Sequence, residues 1–424
     1  MPTELETAVA TVVDPKAHAD TPRLQGAYAW LRKHEPVARA EIPGFDPFFV
    51  VTKHADILEV SKDNTLFPYG DYPSTLAPHQ AVERGRQARA AGRPLLYTLV
   101  QMDEPDHMKY RALTQAWFMP QNIRGLEGRI RELAREAVAR MEALGGECDF
   151  VNEVALHYPL RVIIEILGVP RADEPRMLKL TQEMFGSTDP DLKRKGEDES
   201  PAAQAAAMQA VLTDFFNYFN TLTESRRANP VDDVASVIAN AKVDGQQISA
   251  FDAVSYYLII ATAGHDTTSS STAGALWALA ERPAELAKVK ANAELIGGLV
   301  DESIRWTTPV RHFMRSAAVD TELRGKQIAK GDWLMLCYPS GNRDEEVFED
   351  PFEFRVDRNP NRHLAFGYGA HLCLGQHLAK MEMRILWEEL LPRLKSVELA
   401  GQAQLSQANF VNGLKKLPIR YQFA

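Results

Sequence analysis

The sequence has few cysteines and no long hydrophobic run, and these two absences exclude several classes of protein. Its 424 residues include three cysteines, Cys148, Cys337 and Cys373, which are too few and too scattered for a disulfide framework. No stretch of about 18 apolar residues is present, so a transmembrane helix is not expected. The first twenty residues lack the cationic and apolar segments of a signal peptide. We therefore expect a soluble, cytoplasmic protein.

Positive charge and several common catalytic motifs are also lacking. Asp and Glu outnumber Lys and Arg by 57 to 48, and the formal net charge is −9 at pH 7. An acidic chain is a poor candidate for binding nucleic acid or an anionic membrane. No Gly-x-Ser-x-Gly elbow and no phosphate-binding loop is present. The glycines Gly367 and Gly369 do not continue as a dinucleotide fingerprint, because Leu372 stands at the third glycine's position.

Helical periodicity dominates the first three hundred residues, whereas strand-like runs are short and lie near the two ends. The clearest helical segments are 123–143, 151–167 and 251–280. The clearest strands are 48–52 and 333–338. No internal repeat and no Gly/Ser-rich linker divides the chain, so a single domain is expected.

Three other segments predict turns or loops. Asn412-Gly413 lies between apolar residues and predicts a β-hairpin. Residues 67–95 and 189–201 predict long irregular segments, and the second is rich in charge. Long irregular segments in a compact chain are either disordered or form functional lids.

The most unusual stretch is FGYGAHLCLGQHLA, at residues 366–379. Its glycines let a large group approach the backbone near Cys373, and an apolar helical stripe begins just after the cysteine. A thiolate at the start of a helix is stabilised by the helix dipole and by N–H groups. A lone cysteine is also compatible with a small buried side chain, so these residues alone leave a ligand role open. Zinc fits poorly, because no Cys-x-x-Cys pair completes a tetrahedral site.

This stretch resembles the haem-binding signature of the cytochrome P450 monooxygenases. The matching residues are Phe366, Gly367, Gly369, His371, Cys373, Gly375 and Ala379. Other segments resemble the family's oxygen-activating groove (263–268), its Glu-x-x-Arg motif (302–305) and its meander (342–358), in the family's order. The similarity covers essentially the whole chain and is strongest to soluble bacterial members that oxidise α-terpineol.

The resemblance implies a mainly α fold with small β-sheets. Residues 1–424 would form a single P450 domain, with an α-rich and a β-rich part around a buried haem b. It further implies that Cys373 is the axial thiolate ligand of the iron, a ligand that favours O–O cleavage. The residues implied to hold the two haem propionates are His107, Arg111, Arg315 and His371. Those implied to form a buried structural network are Glu302, Arg305 and Arg358.

The resemblance also accounts for the polar centre of the apolar segment at 259–280. The segment by itself is compatible with a helix that has one wet face. In the family, this helix crosses the cavity on the oxygen-binding side of the iron. Ala263 and Gly264 would then leave room for dioxygen, and Asp266 and Thr267 would be the catalytic residues that relay protons.

The family positions of the substrate pocket are mostly apolar in this sequence. They are Ile259, Ala263, Val310, Phe313 and Val411. Such a lining favours a small hydrophobic substrate, either a monoterpenoid such as terpineol or a small aromatic or alicyclic hydrocarbon. Arg311 and His312 are polar exceptions, and the sequence does not indicate which way they point.

Three functions stay open from the sequence. The first is a monooxygenase that uses O2 and electrons from NAD(P)H, delivered by a reductase and a 2Fe-2S ferredoxin. A peroxide-driven enzyme is disfavoured by the Asp266–Thr267 pair, and a non-enzymatic haem protein by the lack of a visible signalling domain. No flavin or nicotinamide domain is visible either, so we expect a monomer with separate redox partners. The cations expected to dock the ferredoxin are Lys109, Arg362, Lys380 and Arg384.

Overall fold

Helices form most of the chain in the computed structural model, which describes residues 2–70, 72–92, 94, 96–194 and 200–424. The helices are α1 (Glu4–Val13), α2 (Thr21–His34), α3 (His54–Lys62), α4 (His79–Ala90), α5 (Asp106–Gln115), α6 (Pro120–Ile123), α7 (Glu127–Ala143), α8 (His157–Ile166), α9 (Glu174–Phe185), α10 (Pro201–Ala228), α11 (Val234–Ala239), α12 (Ala250–Glu281), α13 (Pro283–Ala291), α14 (Ile296–Thr307), α15 (Tyr338–Gly341) and α16 (Gln376–Leu390). Short turns join several of them, including the 3₁₀ turns Leu99–Gln101 and Gly369–His371. No helix among the described residues is long and apolar enough to cross a bilayer.

The strands are short and form small sheets. They are β1 (Val37–Ala40), β2 (Phe48–Val51), β3 (Glu147–Asp149), β4 (Lys242–Val243), β5 (Gln246–Gln247), β6 (His312–Ser316), β7 (Thr321–Leu323), β8 (Lys326–Ile328), β9 (Trp333–Cys337), β10 (Leu394–Leu399), β11 (Gln404–Leu405), β12 (Leu414–Lys416) and β13 (Pro418–Phe423). One sheet has the order β1-β2-β9-β6, with β2 and β9 parallel, and another has the order β10-β13-β3. The mainly α architecture with small sheets confirms the predicted fold class.

Strand β9 is buried along its whole length because apolar clusters cover both faces of its sheet. Trp333, Met335 and Cys337 face one cluster, whereas Leu334 and Leu336 face the other. This alternation follows from the two-residue repeat of a β-strand. The sheet is therefore a rigid support for its edge strand β6, whose residues reach the site described below.

Helix α12 runs through the middle of the helical part and packs against α8, α10 and α14. Its first turn is capped by the side chain of Ser249. Glycines permit the close packing of its neighbours. A Cβ atom at Gly264 would lie 2.4 Å from Ile163 on α8, and one at Gly274 would lie 2.3 Å from Thr307 on α14. The small residue at 264 therefore serves helix packing as well as the cavity that it lines.

A buried polar network surrounds Glu302 on α14. Its carboxylate accepts hydrogen bonds from Arg305 at 2.7 and 2.8 Å and from Arg358 at 3.1 and 3.2 Å. The amide of Asn361 and the backbone N–H of Arg355 add further hydrogen bonds to the same carboxylate. The two arginines also donate to backbone carbonyls between residues 342 and 353. These contacts confirm the predicted network, which holds the irregular segment before Cys373.

The structure bears out the main predicted helices and strands, but it changes the prediction for the C-terminal turn. A hairpin does form here, because β12 pairs antiparallel with β11, but its loop spans residues 406–413 and Asn412-Gly413 is not a two-residue turn. Asn412 is buried and donates to the carbonyls of Ser406 and Ala408. A Cβ atom at Gly413 would lie 2.0 Å from the Ser270 hydroxyl. The pair therefore packs this turn onto α12.

The two segments predicted to be irregular have different outcomes. Residues 67–95 contain the helix α4, so that segment is only partly irregular. The prediction failed because α4 is polar on most sides and carries a weak apolar stripe. Of the segment 189–201, residues 195–199 lie outside the described part of the chain, and Pro201 begins α10.

Candidate active site

Cys373 lies in a tight turn just before α16. Its backbone N–H donates to the carbonyl of Phe366 at 2.9 Å, which closes the turn. Gly369 has a φ of +73°, and a Cβ atom there would lie 2.3 Å from the carbonyl oxygen of Ser61. This position therefore requires glycine. The glycine-rich spacing seen in the sequence is needed to hold the turn against α3.

The surroundings of the sulfur act in opposite directions on its ionisation. Burial raises the pKa of the Cys373 thiol. The backbone N–H groups of Gly375 and Gln376, at the start of α16, and the guanidinium of Arg111 all favour the thiolate. A positively charged metal ion next to the sulfur would add to these effects, so the turn suits a thiolate ligand.

Two arginines and two histidines gather near the cysteine turn. The rings of His107 and His371 lie 4.0 Å apart, and the guanidinium of Arg315 lies 3.8 Å from the ring centre of Tyr69. Arg111 donates to a backbone carbonyl of the cysteine turn at 2.7 Å. Within the described residues, neither Arg111 nor Arg315 has an acidic partner. Arg315 is buried and Arg111 is half-buried, and the described part of the chain gives neither cation a counter-ion.

The histidines respond to burial and to this uncompensated positive charge. Burial lowers the pKa of His371 to about 2, and Arg315, His107 and Arg111 add to the shift. Burial also lowers the pKa of His107, although Glu104 opposes this effect. Both rings are therefore neutral at pH 7 and can donate hydrogen bonds. The four side chains together form a site for anionic groups.

One cavity of about 430 Å³ joins Cys373 to these four residues. Its other walls are largely apolar and come from α8, α9, α10, α12, the 3₁₀ turn at 99–101 and the C-terminal turn. The apolar residues on these walls are Leu96, Leu99, Val100, Phe118, Ile163, Met184, Phe185, Met208, Leu258, Ile259, Ile260, Ala263, Val310, Phe313, Phe410 and Val411. The cavity thus combines a thiol, a cationic wall and an apolar chamber.

Comparison with known proteins settles which family has this arrangement. The sequence model of the cytochrome P450 family matches residues 31–423. The chain belongs to the cytochrome P450 family. It is a P450 monooxygenase, and its cofactor is haem b held by a cysteine thiolate.

The relatives of this P450 are bacterial enzymes that match nearly its whole length. It is 49% identical to cytochrome P450-terp of Pseudomonas sp. over 97% of this chain and 96% of that one. It is 33% identical to linalool 8-monooxygenase of Pseudomonas putida, over 92% and 94% of the two chains. Among solved structures, CYP108D1 of Novosphingobium aromaticivorans is 45% identical with a TM-score of 0.90, and each chain covers the other completely. A Mycobacterium marinum P450, CYP268A2, solved in complex with pseudoionone, is 30% identical over 97% of both chains, with a TM-score of 0.86.

The residues of the cavity fit a haem group. Arg315 is buried, Arg111 is half-buried, and neither has a counter-ion among the described residues, whereas a haem carries two propionates. The cysteine turn presents a sulfur, and the apolar walls suit a flat macrocycle. The predicted cofactor-binding residues His107, Arg111, Arg315, His371 and Cys373 all line this cavity.

The predicted catalytic pair is divided between two cavities. Thr267 lines the haem cavity, and its hydroxyl donates to the carbonyl of Ala263 at 2.7 Å. Asp266 instead lines a smaller cavity of about 90 Å³ on another side of α12, together with Ser269 and Lys415. Consecutive residues of a helix point about 100° apart, which explains the division. Phe185 and Val411 line both cavities, so the two spaces are neighbours.

The carboxylate of Asp266 is incompletely paired. Its Oδ2 atom is buried and has no hydrogen-bond partner, and the adjacent hydroxyl of Ser269 also has none. The nearest basic group is the ring of His265, 3.6 Å away. That ring already bonds the hydroxyl of Thr181 and the carbonyl of Leu156. A water molecule in the small cavity would satisfy both unpaired oxygens.

The predicted substrate residues lie together in the haem cavity. These residues are Ile259, Ala263, Val310, Phe313 and Val411. Arg311 and His312 do not line it. Arg311 bonds the side chain of Asn412, and His312 bonds the N–H of Leu76 and the carbonyl of Asn409. Both therefore brace the C-terminal turn.

Sequence reasoning missed an acid in the wall of the haem cavity. Glu382 on α16 is almost completely buried, faces the hydroxyl of Thr268, and has an Oε2 atom without a partner. Burial raises the pKa of this carboxyl well above its usual value, which favours the protonated form. The sequence signal was an acid on the apolar stripe of α16, between Met381 and Ile385. An acid at such a position is rarely buried without a specific environment.

The cations predicted to dock a ferredoxin are mostly paired with acids. The ion pairs are Lys109–Asp244, Lys380–Asp301 and Arg384–Glu127. Arg362 is exposed and makes no ion pair within the described residues. The positive field of this surface is therefore weaker than the sequence alone indicated.

Proposed function

We propose that this P450 oxidises small terpenoids or other small hydrophobic molecules, and that Cys373 is the axial ligand of its haem. The observation that carries the proposal is the one cavity that joins the Cys373 sulfur, the unpaired cations Arg111 and Arg315, and an apolar chamber. In this proposal residues 1–424 form one domain.

The residues of the chain hold the cofactor and exclude water from it. Bound haem supplies the redox chemistry by which O2 is split and one oxygen atom passes to the substrate. Cys373 would ligate the iron as a thiolate, which the N–H groups of Gly375 and Gln376 would stabilise. His107, Arg111, Arg315 and His371 would hold the propionates.

We assign proton uptake to Asp266 and proton delivery to Thr267. The free carboxylate oxygen of Asp266 accepts a proton from water in the small cavity. The hydroxyl of Thr267 lies on the haem side of the same helix, where it can pass a proton into the cavity. Delivery requires the Thr267 hydroxyl to leave its hydrogen bond with Ala263.

The chamber walls support a compact apolar substrate. Phe313 and Phe410 pack with their ring centres 5.6 Å apart, and aliphatic side chains form most of the other walls. Such walls recognise a molecule by burial and shape. The relatives named for linalool oxidation and solved with pseudoionone act on or bind terpenoids, which favours the same class here.

We propose that electrons come from NAD(P)H through a reductase and a 2Fe-2S ferredoxin. The presence of Asp266 and Thr267 on one helix supports O2-driven over peroxide-driven turnover, because the reduction of O2 consumes protons that hydrogen peroxide already carries. A cytoplasmic location and a monomeric state stay predictions.

Turnover under ¹⁸O₂ tests this proposal. The purified holoprotein, with a bacterial 2Fe-2S ferredoxin, its reductase and NADPH, is incubated with α-terpineol, linalool and a small aromatic hydrocarbon. We expect an oxidised terpenoid that carries one ¹⁸O atom, and no product without the reductase. Product formed equally well from hydrogen peroxide alone would favour the peroxygenase. Haem binding without product from any of these substrates would contradict the proposed substrate class.

A further inference from the structure

One amide side chain in the haem cavity has a fixed orientation. Gln101 ends the 3₁₀ turn Leu99–Gln101, and Thr98 caps this turn. The Oε1 atom of Gln101 accepts a hydrogen bond from the backbone N–H of Thr98 at 3.1 Å and lies 3.3 Å from its hydroxyl. A backbone N–H can only donate, so the atom that faces it must be the amide oxygen. The hydrogen bond from the Thr98 N–H therefore fixes which end of the amide faces Thr98.

The amide nitrogen is consequently free. Among the described residues, Nε2 of Gln101 has no hydrogen-bond partner, and Gln101 is one of the residues that line the cavity. An amide nitrogen carries two donors and cannot accept. The nearby walls contributed by Leu96, Leu99, Val100 and Phe118 are apolar and offer no acceptor.

Other polar groups in the cavity do not replace it. On α12 the hydroxyls of Thr262, Thr267 and Ser271 each donate to a carbonyl one turn earlier in the helix. Ser74 and Thr75 contribute hydroxyls, which can donate or accept and therefore do not select one kind of oxygen. The Nε2 group of Gln101 differs from these hydroxyls because it can only donate. The guanidinium groups of Arg111 and Arg315 are also donors only, but they are assigned to the propionates.

We propose that Nε2 of Gln101 donates a hydrogen bond to an acceptor oxygen of the substrate. The substrate is then an apolar skeleton with an alcohol, ether or carbonyl oxygen, and a bare hydrocarbon is a poorer ligand. Because the bond fixes one end of the molecule, it also selects which carbon faces the iron. This inference rests on the proposed function and narrows its substrate class.

A matched pair of ligands tests it. α-Terpineol and p-menth-1-ene share one carbon skeleton and differ in a hydroxyl group. Their dissociation constants are measured from the shift of the haem spectrum in the wild type, Gln101→Leu and Gln101→Glu. The glutamate variant keeps an oxygen that can accept from the Thr98 N–H, but it replaces the free donor with an acceptor. The leucine variant removes both the accepting oxygen and the free donor.

We expect Gln101→Leu to weaken binding of the alcohol by about 3- to 10-fold and to leave binding of the hydrocarbon within about twofold. The regiochemistry of terpineol oxidation should also become less selective in this variant. In Gln101→Glu the carboxylate can accept from the hydroxyl of the alcohol, so this variant should retain more of the preference for the alcohol than Gln101→Leu does. Equal affinity ratios in all three proteins, or no binding of the alcohol to the wild type, would overturn the inference. The carbon monoxide spectrum of each protein reports haem ligation separately, so failure of the inference is distinguishable from failure of the proposed function.

Discussion

Two polar regions near the haem cavity differ in how completely their groups are paired. The carboxylate of Glu302 accepts from Arg305, Arg358 and Asn361, so both of its oxygens are paired, and its ion pair with Arg305 is fully buried. In and beside the wall of the cavity, by contrast, Asp266 and Glu382 each keep a buried oxygen without a partner.

The difference in pairing indicates which polar groups stabilise the fold and which take part in function. A carboxylate whose two oxygens both accept hydrogen bonds from the protein is not available to a proton or a ligand. Removing it leaves buried cations unpaired. Unpaired groups destabilise the fold, and they are retained where water, protons or ligands meet them during function. We therefore expect changes in the first region to cause a large loss of stability at any pH, and changes in the second to alter turnover or the pH dependence of stability.

The largest effect is expected for Glu302→Ala, which leaves Arg305 and Arg358 buried without their acid. Loss of such a partner costs about 3–5 kcal/mol, a large share of the stability of a typical domain. Chemical denaturation and the yield of haem-loaded protein measure the effect. Glu147→Ala, which breaks an exposed pair with Arg420, is the matched control and should cost less than about 1 kcal/mol. Equal losses of stability in Glu302→Ala and Glu147→Ala would contradict a structural role for the Glu302 network.

Thr267→Ala should change turnover and leave the fold intact. The substitution removes one hydroxyl from the cavity wall, so binding of haem and substrate should persist. Consumption of NADPH should continue, but the product formed per electron pair should fall by about tenfold or more, with hydrogen peroxide released instead. Product and peroxide are measured in the same reaction. Tight coupling in this variant would assign the proton relay to other groups, with Asp266→Asn as the next test.

Glu382→Gln should alter the pH dependence of stability. Because burial raises the pKa of this carboxyl in the folded state, the unfolded chain releases the proton first as pH rises. The wild type therefore loses stability above the unfolded pKa of about 4.3, until the folded carboxyl also ionises. The glutamine variant lacks this loss, so it should gain stability relative to the wild type between pH 5 and pH 8. If the difference in stability between the two proteins is the same at pH 5 and at pH 8, the pKa of Glu382 is not raised in the folded protein.

The smallest effect is expected at the docking surface. Lys380 and Arg384 already pair with acids, so changing both to Glu should reduce ferredoxin-driven turnover by less than about tenfold. Arg362→Glu changes an exposed cation and should have the larger effect per charge. Both effects should fade with added salt, because the Debye length is about 10 Å at 0.1 M. Equal losses in peroxide-driven turnover would mean that the changes damage the haem site.

Much of the site could be predicted from the sequence, for reasons that differ between residues. The turn around Cys373 needs glycine at fixed positions, and Gly369 shows why, because even a methyl group would meet the backbone of α3. The long apolar pattern of α12 also determines its structure by itself. Such local constraints can be recognised directly in the sequence.

Other features depend on tertiary contacts that no local pattern encodes. Thr267 and Asp266 are neighbours in sequence, yet they face different cavities because α12 turns by about 100° per residue. The free donor of Gln101 follows from hydrogen bonds within its own turn, but its place in the cavity wall depends on the packing of that turn. Asn412-Gly413 has the composition of a two-residue hairpin turn, and its packing against Ser270 overrides that preference.

The central claim is that Cys373 is the residue that ligates the haem iron, and one spectrum tests it most directly. The reduced, carbon monoxide-bound wild type should show the red-shifted band of thiolate-ligated haem, and Cys373→Ser should lose this band. A circular dichroism spectrum of the serine variant that matches the spectrum of the wild type shows that the variant is folded. If the serine variant keeps the red-shifted band, Cys373 is not the ligand and the account of the site is wrong.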